Sequence, residues 1–209
     1  MKTLLDTENW HRKEHFHFFR QFEEPFFGAT VEIDCTKAYA TAKSLHTSFF
    51  IYYLHKTLVA VNAIESFRYR ISDDKIYVCD QINASATIGR EDGSFGFSLN
   101  EYNADFTVFT ATALAEIERI QNTTGLFTRT FEEDNVIHFS AIPWLNFTSL
   151  SHARSYAFPD SCPKISFGKM IVAQNGKRTM SMSVHVHHGL MDGLHVGQFV
   201  DYFQEIMNQ

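Results

Sequence analysis

The stretch from Met180 to His188 constrains this chain more than any other, because its side chains alternate between two faces of an extended strand. Met180, Met182, Val184, Val186 and His188 fall on one face; Ser181, Ser183, His185 and His187 fall on the other. His188 therefore shares the apolar face. Gly189 then breaks the pattern and Asp192-Gly193 reads as a turn. Val196, Val200, Phe203 and Met207 follow at helical spacing, marking an amphipathic closing helix.

The rest of the chain mixes both periods. Thr30–Asp34 reads as a short strand, and helices are expected near Thr36–Leu45 and Ser48–Ile64, the second behind an N-cap at Ser48. Arg68–Ile71 and Lys75–Asp80 form a hairpin pattern across Ser72-Asp73-Asp74. Asp105 is placed to cap a helix running to about Gln121, and strands are expected at Val136–Ala141 and Lys164–Val172. The fold class is α/β (α+β), a sandwich of helices around one sheet. With 209 residues, four prolines and ten glycines, no linker stands out, and residues 1–209 read as a single domain.

Composition removes several classes. A formal net charge of −6 lacks the basic stripe that nucleic-acid binding needs. Cys35, Cys79 and Cys162 are odd in number and widely spaced, so neither a disulfide framework nor a thiolate zinc site is suggested. The apolar run Phe49–Leu54 is too short to span a bilayer, and Asp6 interrupts any secretory h-region. The expected location is cytoplasmic.

A histidine at a strand end, on the apolar side of a turn, is fixed and partly dry. Burial disfavours imidazolium, which preserves the neutral form that a general base requires. Such a residue is more often a hydrogen-bonded core histidine, and alternation alone does not separate the two. His185 and His187 share a strand face at chelating distance, with Asp192 as a further carboxylate. However, His188 points the other way and no other ligand pair is apparent, so no metal is expected.

Three blocks then carry a resemblance. His187-His188-Gly189-Leu190-Met191-Asp192-Gly193-Leu194-His195 resembles the signature of the chloramphenicol acetyltransferase family. Trp10-His11-Arg12-Lys13-Glu14-His15-Phe16 is similar to that family's opening block, and Phe139–Ser149 resembles its S-A-x-P-W stretch. The spacing agrees over nearly the whole chain.

The resemblance implies a mixed sheet flanked by helices, assembled as a homotrimer with active sites at subunit interfaces. It implies acetyl-CoA as co-substrate and chloramphenicol as the hydroxylated acceptor. His188 would be the general base, and Ser140 would donate a hydrogen bond to the tetrahedral oxyanion rather than act as a nucleophile. Asp192 would pair with Arg12 as a structural brace. Ser166 falls where the family has a threonine that holds a water. Phe18, Phe19, Thr87, Phe97 and Phe127 would line the acceptor pocket.

That pocket is also where the match weakens. Glu23, His152 and Arg154 stand at positions that are aliphatic in the best-known members, and Ser151–Asp160 matches poorly. Two further readings are therefore carried: the same acetyl-CoA chemistry on a different small acceptor, and a non-catalytic small-molecule-binding protein on the same scaffold. A metal-dependent hydrolase, the reading that would use His185 and His187, comes last.

Overall fold

A computed structural model describes residues 1–130, 134–156 and 160–209. The alternating strand, β10 (Arg178–His187), lies second from one edge of the larger sheet. Met182, Val184 and Val186 are buried beneath helices, as period-two alternation requires. On one side β10 pairs antiparallel with β2 (Phe26–Asp34), and on the other with β8 (Lys164–Phe167) and the short β9 (Ile171–Val172). Parallel pairing continues from β8 to β7 (Val136–Ala141) and on to β5 (Asn83–Gly89). An antiparallel β6 (Phe95–Asn100) ends the sheet. The strand order is β2-β10-β8-β7-β5-β6, with β9 off that path.

Helices cover the apolar face. In α3 (Phe49–Ala63) nearly every position from Ile51 to Val61 is buried, and Tyr53 packs its ring on Phe139 and Phe167. Phe203 of α5 (Gly193–Met207) meets Phe167 from the other side. The helices α2 (Thr36–Ser44) and α4 (Phe106–Gln121) complete the layer, and Asp105 caps α4 by accepting from the Thr107 and Val108 amides. No helix among the described residues is long and apolar enough to cross a membrane.

The remaining elements build a second sheet at the N-terminal end. Here β4 (Lys75–Cys79) lies between β1 (Lys2–Leu4) and β3 (Tyr69–Ser72). The β3–β4 hairpin turns through Asp73 (φ 48°) and Asp74 (φ 61°), the left-handed pair a two-residue turn needs. The helix α1 (Lys13–Phe19) buries Phe16 and brings Phe19 onto the His188 ring.

The structure redraws several sequence boundaries. β2 begins at Phe26 rather than Thr30, since its first residues pair with Val186 and His187. The expected strand Lys164–Val172 is broken into β8 and β9: the Gly168 amide still donates to the Ser181 carbonyl, but the Lys169 amide turns to the Leu145 carbonyl at 2.7 Å. Ser48 stands at the N-cap of α3 without a side-chain capping bond. Strands β1, β5 and β6 and helix α1 carried no clear periodic signal.

Candidate active site

His188 sits one residue past the end of β10, where its amide donates to the Pro25 carbonyl at 2.8 Å. Its half-buried ring stacks on Phe19 at 3.9 Å with 14° between the planes, and lies 4.5 Å from Phe27. Imidazole Nδ1 is 3.3 Å from the Met191 carbonyl. A carbonyl only accepts, so Nδ1 carries the proton and Nε2 keeps its lone pair. The ring is thus fixed in orientation and tautomer, with a basic nitrogen left over. Its neighbour behaves differently: His187 is buried on the opposite face, where burial first and Arg154 second push its pKa down to about 4.

The turn carrying His188 is tied down by Arg12, which is only 3% exposed. Arg12 Nη1 meets Asp192 Oδ2 at 2.5 Å, and Nη2 donates to the His188 carbonyl at 3.0 Å. Asp192 does more than the turn expected from sequence. It is the N-cap of α5, accepting from the Leu194 amide at 3.0 Å, with His195 Nδ1 2.8 Å from Oδ1. Burial alone would raise the Asp192 pKa; hydrogen bonds from His195 and Arg12 outweigh it and bring the value down to about 2.

Ser140 lies elsewhere. It lines a cavity of about 420 Å³ on the polar face of the sheet, together with Thr87, Phe97 and Phe127. Through the ladder, Ser140 is level with Ser166 and Ser166 with Ser183. Ser166 is buried, and its hydroxyl has no hydrogen-bond partner among the described residues. His188 lies five residues beyond Ser183 and two strands from Ser140. Standard strand dimensions put the two residues roughly 20 Å apart within one chain. Phe18 and Phe19 do not line the Ser140 cavity either: Phe19 backs His188, while Phe18 is exposed and packs on Phe19 and Phe22.

Of the three residues that depart from the family pattern, only His152 reaches the Ser140 cavity. Glu23 and Arg154 line a second cavity of about 370 Å³ beside His187. There Arg154 pairs with Glu24 and lies 3.7 Å over the Phe26 ring. Residues 157–159 of the poorly matching Ser151–Asp160 segment lie outside the described residues. Sequence reasoning passed over His138 and Lys164, which also line the Ser140 cavity. For His138 a signal existed: it precedes Ser140 by two residues on one strand, so the two share a face.

Asp192, the carboxylate of the metal alternative, is engaged by Arg12 and His195. His187 Nδ1 accepts from the Gly189 amide at 3.1 Å, and His185 Nδ1 is 3.2 Å from the Ser183 hydroxyl. Among the described residues no group of three or more metal donors comes together.

The same fold occurs in a probable dihydrolipoamide acetyltransferase from Listeria monocytogenes, at a TM-score of 0.65 and 14% identity, over 93% of this chain and 88% of that one. A solved chloramphenicol acetyltransferase superposes with a TM-score of 0.91 at 34% identity, covering 99% of this chain and all of that one. The protein is an acyltransferase. The family model described as chloramphenicol acetyltransferase matches residues 1–204, and the chain belongs to that family. Among curated relatives, chloramphenicol acetyltransferase 3 of Escherichia coli is 32% identical over 99% of this chain and 97% of its own. A chloramphenicol acetyltransferase of Bacillus pumilus is 28% identical over 94% and 90%.

Proposed function

We propose that this protein transfers acetyl from acetyl-CoA to a hydroxyl of chloramphenicol, in the cytoplasm, by direct attack without an acetyl-enzyme. The observation that carries the reading is the tether of His188 Nδ1 to the Met191 carbonyl, which leaves Nε2 as a positioned base. Nε2 takes the proton of the acceptor hydroxyl while its oxygen attacks the thioester carbonyl carbon. The Ser140 hydroxyl donates to the oxyanion that forms. Collapse breaks the carbon–sulfur bond, and the imidazolium returns its proton to the departing thiolate, giving the ester and free CoA. Arg12 and Asp192 brace the turn that delivers His188. Ser166, whose hydroxyl beside Ser140 has no partner among the described residues, would hold a water near the reacting oxygen.

A base and an oxyanion donor must both lie about 3 Å from one reacting centre, which residues roughly 20 Å apart in one chain cannot satisfy. This supports a site shared between subunits, in which His188 of one meets the Ser140 cavity of the next, with Thr87, Phe97 and Phe127 as walls; the homotrimer is what the family resemblance implies. Phe18 and Phe19 would reach the acceptor from the base's side.

Release of free thiol from acetyl-CoA on adding chloramphenicol, abolished by His188→Ala, is the expected result. Thiol release with another alcohol but none with chloramphenicol would favour the same chemistry on a different acceptor. His138, His152 and Lys164 in the cavity support that second reading. Binding of acetyl-CoA with no turnover on any acceptor would leave a non-catalytic binding protein.

A further inference from the structure

The polar face of the sheet is organised in rows. One row carries hydroxyls: Ser140, Ser166, Ser183 and Thr30 are successive register partners across β7, β8, β10 and β2. Two residues away along the strands lies a second row: Ser85, His138, Lys164 and His185 are register partners across β5, β7, β8 and β10. The rows are one sheet repeat apart, roughly 7 Å. His152, from the loop after β7, comes down on the second row with its ring 4.8 Å from His185. Ser85, His138, Lys164 and His152 all face the cavity that holds Ser140.

The charges in this row are already matched. Lys164 is 4% exposed, and its ammonium meets Asp160 at 2.5 Å and the Cys162 carbonyl at 3.2 Å. Asp134, also in the cavity wall, pairs with Lys2 at 3.3 Å. His152 is held neutral near pH 7, because burial first, then His185 and Lys164, push its pKa down to about 4. Among the described residues of the cavity, an anion would thus find no uncompensated cation, and a cation no free carboxylate. What remains open is hydrogen bonding. His152 Nε2 is buried with no partner among the described residues, and the exposed His138 ring lines the same cavity beside it. Neutral imidazoles both donate and accept, whereas an apolar group placed here would leave His152 Nε2 buried and unpaired.

We infer that the acceptor is a neutral alcohol bearing a second hydrogen-bonding group roughly 7 Å from the hydroxyl that is acetylated, selected by His138 and His152 between the Phe97 and Phe127 rings. This deepens the acetyl-transfer reading and rests on it. Lys164, fixed by Asp160, holds the row in place.

The test compares two chloramphenicol analogues of equal size, in which the para nitro group is replaced by hydroxymethyl or by ethyl. With the wild-type protein the hydroxymethyl compound should have the higher kcat/KM for thiol release by about tenfold, the worth of one buried polar group left unpaired. His152→Leu and His138→Phe should each narrow or reverse that ratio. Equal or better use of the ethyl compound by wild type overturns the inference. Absence of thiol release with every acceptor would instead sink the acetyl-transfer reading. The preference is then read from calorimetric titration of the two analogues: tighter hydroxymethyl binding upholds it, and no preference or no binding overturns it. Where His138→Phe does not fold, His152→Leu in the loop after β7 supplies the same comparison.

Discussion

Arg12 holds two groups at once: the carboxylate of Asp192 at 2.5 Å and the main-chain carbonyl of His188 at 3.0 Å. One guanidinium, brought from near the N-terminus, thereby links the base-bearing residue to the N-cap of the last helix. Its planar fork suits two acceptors set at an angle, which a lysine ammonium would not match.

Removing either partner leaves a charge stranded. Arg12 is almost fully buried and Asp192 about one-third exposed, so Asp192→Ala should cost about 2–4 kcal/mol, including the lost helix cap. Arg12→Lys should lower kcat more than it raises the KM for acetyl-CoA, because the contact to the His188 carbonyl is lost. Chemical denaturation and steady-state kinetics on the two variants check this. Wild-type stability in Asp192→Ala would contradict it.

The same pair has a pH signature. The Asp192 pKa is about 2 in the fold, below the ordinary aspartate value, so its stabilisation is complete above about pH 4 and is lost as pH falls toward 2. With its partial exposure discounted, the contribution is on the order of 1–2 kcal/mol. The stability gap between wild type and Asp192→Asn should narrow by that amount between pH 4 and pH 2.

His187 and His152 act in a different window with the same proton bookkeeping, although here it is the neutral form that the fold favours. Their folded pKa values of about 4 lie below the ordinary histidine value, so the unfolded chain binds more protons between about pH 6.5 and pH 4. Stability should therefore fall as pH drops through that range. His187→Asn, which can still accept from the Gly189 amide, should flatten the slope in thermal unfolding between pH 6.5 and 4.

If base and oxyanion donor come from different subunits, two inactive variants should complement each other. Ser140→Ala is expected to lower kcat by about 10²–10³ with little change in KM. His188→Ala should lose at least about 10²–10⁴. Unfolded together and refolded at equal concentrations, they should regain about a quarter of wild-type activity, since one interface in four pairs an intact Ser140 with an intact His188. No recovery from a correctly reassembled mixture would place both residues in one subunit's site.

Gly28 tests the packing beneath the histidine row. It is the register partner of His185, and a Cβ on it would lie 2.3 Å from the imidazole. Gly28→Ala should destabilise by about 1–3 kcal/mol, as overpacking generally does. His185→Ser should recover most of that loss in the double variant. Additive losses would show that the ring does not fill this space.

The sequence by itself determined what depends on a segment's own periodicity and ends. The alternation around Val184 defined β10, Val196 to Met207 defined α5, Asp105 capped α4, and the three motif blocks carried the family resemblance. Each is written within a short stretch, because burial of one face and satisfaction of helix-end amides leave a local pattern. Only the tertiary structure decided which strands neighbour each other and in what register. That order sets Ser140 level with Ser166 and Ser183, carries His188 roughly 20 Å away within the chain, and puts His138 and Lys164 in the Ser140 cavity while Glu23 and Arg154 go elsewhere. It also brings Arg12 to the His188 carbonyl across 176 residues. Such pairings are made by hydrogen bonds and charges between segments far apart in the chain, and no spacing within either segment records them.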